Sequence, residues 1–113
     1  MITVEKLKGF GADTDKGLAM CMGNENLYLR LVGSVPSEKR FDELGDAIKA
    51  GNLDAAFDAA HALKGVLGNL SLDPLYDKVS EITELLRGRT EADYEKYMTE
   101  LFSLKDTLTH LCD

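Results

Sequence analysis

The chain has no tryptophan, only two cysteines and two prolines, and few aromatic residues (7%). Cys21 and Cys112 lie far apart without metal-ligand spacing, which favours free thiols in a reducing compartment over a disulfide framework. No apolar run is long enough to cross a bilayer, and the first ten residues lack the basic-then-apolar pattern of a signal peptide. We therefore expect a cytoplasmic protein with no membrane segment.

Positive charge is also scarce, because 13 Lys and Arg residues stand against 20 Asp and Glu residues, for a net charge of −7. Nucleic-acid-binding proteins normally present a basic face, so no nucleic-acid partner is expected. What the chain does have is 44% hydrophobic and 29% charged residues, which is typical of a globular protein. Its 113 residues predict one domain, residues 1–113.

Helical periodicity is the dominant pattern, and no segment alternates as a strand would. The clearest case has apolar residues at steps of three and four, which predicts one buried stripe on a helix: Leu53, Ala56, Ala60, Leu63, Leu67 and Leu70. Asn52 is placed to cap this helix, and Gly51 to end the element before it. Asp73 with Pro74, and Thr90 with Asp93, are interpreted as the starts of two further helices.

Earlier in the chain, residues 13–22 predict a short helix that Gly23 ends, and Asn24 is placed to cap a longer one. Pro36 should kink or split that longer helix because it removes a backbone hydrogen bond. The count is four substantial helices with one or two short ones before them. Since the connections near residues 51, 72 and 89 are short, we expect an all-α, antiparallel, up-down-up-down four-helix bundle. A monomer is expected as well.

His61 stands out within the most regular helix. Ala60 and Leu63 belong to the buried stripe, so the imidazole should lie on the exposed side of the helix, with Lys64 one turn away. Gly65 and Gly68 follow on the same side, although each glycine costs a helix roughly 1 kcal/mol relative to alanine. A helix flank without side chains lets another surface approach closely, and this would explain why two glycines are present despite their cost to the helix.

This combination suits an anion attached to the imidazole. A neutral ring nitrogen is a competent nucleophile near neutral pH. The ammonium of Lys64 could stabilise a phosphoryl group on that nitrogen. The sequence contains no GxxxxGK[ST] loop and no kinase-like glycine loop with its acidic groups, so the phosphoryl donor should be another protein.

The run His61-Ala62-Leu63-Lys64-Gly65, continued by Gly68-Asn69-Leu70, resembles the His-x-x-Lys-Gly signature of histidine-containing phosphotransfer domains. Residues 21–32 are similar to that family's entry into its second helix, and the segment before His61 agrees as well. The resemblance implies that His61 accepts a phosphoryl group, that Lys64 supports it and that Gly65 keeps the docking face open. It also implies receiver domains as partners, with donor and acceptor aspartates and Mg²⁺ on the receiver and no cofactor or metal on this chain.

Three further residues complete the candidate site. Phe57 and Asp58, one turn before His61, are assigned with Gly65 and Gly68 to the docking face. Many family members hold a glutamine on the following helix that hydrogen-bonds the other imidazole nitrogen, and ungapped counting places Thr83 there. The shorter threonine leaves open whether Thr83, water or a neighbour such as Ser80 orients the ring.

Other interpretations of the histidines have less support. His110 is explained by the helix C-terminus near it. Asp58 and His61 have the spacing of half of a metal site in a helical bundle, but the second half is missing. The alternative function is a helical adaptor that binds receiver domains or other partners without carrying phosphate. Met1 favours a free-standing product.

Overall fold

The computed structural model describes all residues from Met1 to Asp113, and it confirms an all-α protein. It contains no strand and has seven α-helices, with one 3₁₀ turn at Val35–Ser37 between the third and fourth. The helices are α1 (Val4–Phe10), α2 (Thr14–Met20), α3 (Glu25–Ser34), α4 (Arg40–Lys49), α5 (Leu53–Asn69), α6 (Asp73–Arg87) and α7 (Tyr94–Cys112).

Side-chain caps define where several helices begin. The side-chain oxygens of Asn24, Asn52 and Asp93 accept hydrogen bonds from the backbone N–H groups three residues ahead. The predicted break at Pro36 is confirmed, because α3 ends at Ser34 and α4 begins only at Arg40. The two short N-terminal helices, α1 and α2, are present as well.

Two predicted helix starts were wrong. The N-cap of α6 is Leu72, which offers no side-chain hydrogen bond, and Asp73 is already the first helical residue. Thr90 does not begin α7, since its N–H donates to Leu85 O at the end of α6 and Asp93 alone caps α7. The predicted N-cap thus lies one residue too late for α6 and three residues too early for α7.

The core is a single cluster of buried apolar side chains, and it draws on every α-helix except α2. All members of the predicted stripe are buried in it except Leu53, which is half-buried. Consecutive helices from α4 to α7 pack against one another, and α4 also contacts α7. Helices α5 and α6 run in opposite directions, because Phe57 near the start of α5 meets Arg87 at the end of α6, while Gly68 meets Tyr76.

The N-terminal third contributes to this core. Leu7 of α1 and both Tyr28 and Val32 of α3 are fully buried. The two cysteines, Cys21 and Cys112, are free thiols. None of the helices has the length and apolar character that crossing a membrane requires.

Candidate functional site

His61 lies in the middle of α5 with its side chain exposed, as predicted. Its neighbours Ala60 and Leu63 are fully buried, so the helix turns the imidazole away from the core. The exposed ring can therefore be reached by a group carried on another molecule.

The imidazole makes an aromatic contact with a residue one turn earlier in α5. The rings of Phe57 and His61 are stacked, with centroids 5.8 Å apart and planes 9° from parallel. This spacing is within the range of favourable offset stacking. The guanidinium carbon of Arg87 lies 5.1 Å from the Phe57 centroid, and Arg87 Nε donates to a Glu84 carboxylate oxygen at 3.0 Å. Residues of α6 thus support the ring on which His61 stacks.

Thr83 does not orient the imidazole. Its side chain is fully buried, and its hydroxyl donates to the carbonyl of Val79 at 2.7 Å. The alternative, Ser80, has a buried hydroxyl without a hydrogen-bond partner. Counting along the sequence gave the right helix, but it could not show that position 83 faces the core. The imidazole instead stacks on Phe57.

A groove of about 490 Å³ runs from His61 along α5 toward the start of α6. It is lined by residues of three helices and one turn: Lys16, His61, Lys64, Gly65, Gly68, Asn69, Ser71, Asp73 and Tyr76. Below we call it the His61 groove. It brings together four of the predicted site residues, namely His61, Lys64, Gly65 and Gly68.

The two glycines of the groove differ in their surroundings. A Cβ atom at Gly65 would meet nothing within 4 Å, so this position keeps open space beside His61. A Cβ atom at Gly68 would lie 2.9 Å from Tyr76 Cε1, which is closer than real Cβ contacts. Gly68 is thus required by the packing of Tyr76 across α5. It also lines the His61 groove, so its place on the docking face stays a prediction.

Phe57 and Asp58 lie on a separate, adjoining cleft, which they share with Arg87 and Arg89. Asp58 is exposed, and its carboxylate makes no ion pair. The predicted docking residues are therefore divided between two neighbouring depressions. His110 is exposed in the last turn of α7, where a helix C-terminus favours a basic group.

The charges around the His61 groove are mainly positive. Lys16 and Lys64 carry ammonium groups, while Asp73 is the one carboxylate among the lining residues. On the α6 side of Lys64, the pKa of Glu84 is held below its ordinary value, chiefly by the hydrogen bond and the charge of Arg87 and more weakly by the charge of Lys64. Lys64 has no ion-pair partner within 4.0 Å, so its ammonium is available to an anion on His61.

Sequence reasoning missed Lys16 and Tyr76. Lys16 reaches the groove only because α2 folds back against the α5–α6 turn, and nothing in a local pattern indicates that contact. Tyr76 could have been predicted, because the turn at residues 70–72 is short. A short turn packs the first turn of α6, which carries Tyr76, against the last turn of α5. The structure contains no group of three or more His, Cys, Asp or Glu side chains that could hold a metal ion.

Fold and site together define an all-helical protein that presents one stacked, exposed histidine beside a lysine in a cationic groove. The Hpt domain family model matches residues 36–113, and the chain belongs to this family. Hpt domains are helical phosphocarrier modules of histidine phosphotransfer in two-component signalling, they interact with receiver domains, and they have no ATP site of their own. No match was found among curated proteins or among solved structures. The match begins at Pro36, so the similarity predicted for residues 21–32 stays a prediction.

Proposed function

We propose that His61 accepts a phosphoryl group from an aspartate of one receiver domain and passes it to an aspartate of another. One observation carries this proposal: His61 is exposed and stacked at the end of a groove that also holds Lys64 and the open space of Gly65. Membership of the Hpt family supports the same chemistry.

The transfer requires little from this chain beyond positioning. The lone pair of the unprotonated ring nitrogen forms the N–P bond, the P–O bond to the donor aspartate breaks, and its electron pair stays on that carboxylate. Positioning and charge stabilisation dominate such reactions. Phe57 limits the directions that the imidazole adopts, and Lys64 supplies positive charge to the phosphoryl oxygens. We expect the receiver to supply Mg²⁺ and both aspartates.

The rest of the proposal concerns the whole chain. We infer that the helices from α3 to α7 form an antiparallel up-down-up-down bundle, in which α3 and α4 together make the first member. The short connections and the packing of consecutive helices support this arrangement. We further propose a monomer, a single domain over residues 1–113 and a cytoplasmic location.

The test is phosphate labelling by a receiver domain charged with labelled phosphate in the presence of Mg²⁺. Wild type should gain acid-labile, base-stable phosphate, as expected of a phosphoramidate. His61→Gln should gain none, while its helicity stays nearly unchanged and its stability falls by no more than about 1 kcal/mol, because the exposed ring loses only its stacking contact with Phe57.

His110→Gln is the matched control, since it removes the other histidine of the chain, also exposed on a helix. It should be labelled as wild type is. If His61→Gln were labelled, another residue would have to be the phosphoryl acceptor, and the assignment of His61 would be contradicted. Receiver binding without any labelling of wild type would instead favour the adaptor function.

A further inference from the structure

We propose that α2 forms part of the receiver-docking surface, with the ammonium of Lys16 as its contact for an acidic patch on the receiver. This inference rests on the proposed function, because it takes the receiver domain as the partner at the His61 groove. It concerns a segment outside residues 36–113, the part that the family model matches.

The position of α2 is fixed by contacts with the α5–α6 turn. The N–H of Asp13 donates to Ser71 O at 3.0 Å, and the hydroxyl of Tyr28 donates to Leu70 O at 2.9 Å. A Cβ atom at Gly17 would lie 2.5 Å from the Tyr28 ring, so α2 packs directly against that side chain. These contacts place Lys16 on the wall of the His61 groove.

Lys16 is free to bind a partner. The residue is exposed, and its ammonium makes no hydrogen bond and no ion pair within the chain. Its backbone N–H donates to the Asp13 carboxylate at 3.2 Å, which holds the first turn of α2 in place. An unpaired lysine on a fixed helix is suited to a charged contact at an interface rim.

Two grooves of the molecule differ in the sign of their charge. The His61 groove has two lysines and one carboxylate, although the chain carries a net charge of −7. The groove of about 780 Å³ between α4 and α7 has one lysine, Lys49, and four carboxylates: Asp42, Asp46, Glu95 and Asp106. A partner surface rich in carboxylates is therefore attracted to the His61 groove and repelled from the other one. A receiver that presents its aspartate and the acidic groups around bound Mg²⁺ has the matching charge.

Lys16 and Lys64 should act on different steps. Lys64 is one helical turn from His61 on the same helix, whereas Lys16 is carried by α2, whose start is bonded to the α5–α6 turn. Lys16 should therefore change how tightly the receiver binds, and Lys64 how fast the bound receiver transfers its phosphoryl group.

The experiment uses the full chain and a receiver domain that labels wild type after charging with acetyl phosphate and Mg²⁺. Transfer rates are measured against receiver concentration, and binding of the unphosphorylated receiver by titration calorimetry. Lys16→Glu should raise both the half-saturating concentration and Kd roughly three- to tenfold, as expected for reversing one rim charge. Its rate at saturation should stay within about twofold of wild type, whereas Lys64→Ala should lower that rate.

Lys8→Glu is the matched control, because it makes the same charge change on the neighbouring α1, outside the groove. It should bind the receiver as wild type does. In about 1 M salt the deficit of Lys16→Glu should largely disappear, since the screening length falls to about 3 Å. A loss of folding would instead persist in salt.

An unchanged Kd for Lys16→Glu, or an equal loss of receiver affinity in Lys8→Glu, would overturn the inference. The proposed function would still stand if His61 is labelled. If none of the receiver domains screened for this experiment labels or binds wild type, both the inference and the proposed function are overturned.

Discussion

Gly65 and Gly68 occupy similar positions in the sequence but have different physical reasons to be glycine. Gly65 faces open space beside His61, so a side chain there would enter the region that a docking partner needs. Gly68 lies under the ring of Tyr76, which packs the start of α6 against the end of α5. The first glycine is explained by access and the second by packing.

Alanine should separate the two. Gly65→Ala should raise the free energy of unfolding by up to about 1 kcal/mol, because alanine favours the helix and meets no neighbour. Gly68→Ala should gain nothing or be destabilised, since Tyr76 must move to accommodate the new methyl group. Urea denaturation midpoints of the two variants and wild type measure the difference.

At Gly65, a larger side chain should impair phosphate transfer more than it impairs folding. Gly65→Gln should fold normally and accept phosphate slowly, because the reacting atoms must approach within ~3.5 Å and a shift of about 1 Å is costly. Wild-type transfer by Gly65→Gln, or equal stabilisation by both alanines, would disprove these separate roles.

The local part of the site could be predicted from the sequence, and the long-range part could not. The buried stripe on α5 determines that His61, Lys64 and Gly65 face outward, because helical periodicity fixes direction. The same reasoning failed at Thr83, where counting gave the position on α6 without its facing. Lys16 and Arg87 reach the site through packing of other helices, and no local pattern carries that information.

At the scale of elements, Tyr28 joins the N-terminal helices to the turn between α5 and α6. Its ring is fully buried against Gly17, and its hydroxyl donates to Leu70 O. Burial raises the pKa of Tyr28 to about 12, with smaller contributions from nearby acidic groups. The phenol therefore stays protonated, and able to donate, up to high pH.

Tyr28→Phe should lower the free energy of unfolding by about 1 kcal/mol at neutral pH, because Leu70 O loses its donor. The pKa is raised in the folded state, so the stabilisation is complete below the unfolded value of about 10 and is lost as pH rises through about 12. The difference between wild type and Tyr28→Phe should then shrink across this window. Urea denaturation of both proteins at pH 7 and at several values above 10 measures it, and a constant difference would contradict the assignment.

Element boundaries were predictable at some helices that a side chain caps and not elsewhere. Asn24 and Asn52 mark starts that the structure confirms, whereas Asp93 caps α7 three residues after the predicted start at Thr90. The start of α6 has no side-chain cap, so the sequence offered only the misleading Asp73. After α6, Arg89 rather than the preceding Gly88 adopts the left-handed backbone conformation, with φ +48°. Glycine is the residue usually expected in that conformation, so the sequence pattern did not predict this turn.

At the scale of the whole molecule, the core extends beyond the part that the family model matches. Residues 36–113 carry His61 and the helices around it, yet Leu7, Tyr28 and Val32 are fully buried in the same apolar cluster. Removal of residues 1–35 would expose the core surfaces that these side chains cover. The proposal of one domain over residues 1–113 can therefore be tested by truncation.

The fragment 36–113 should be far less stable than the full chain. Each fully buried apolar side chain contributes roughly 1.5 to 3 kcal/mol to stability. Domains of this size have a net free energy of unfolding of about 5 to 15 kcal/mol, so the loss of several such side chains should remove most of it. Far-UV circular dichroism and urea denaturation should show a fragment that is partly unfolded without denaturant or has a much lower midpoint. A full chain carrying Tyr28→Phe is the control, because it loses one hydrogen bond and keeps the apolar contacts. A fragment with the midpoint of the full chain would show that residues 36–113 fold independently, and the domain would then have to be redrawn to begin near Pro36.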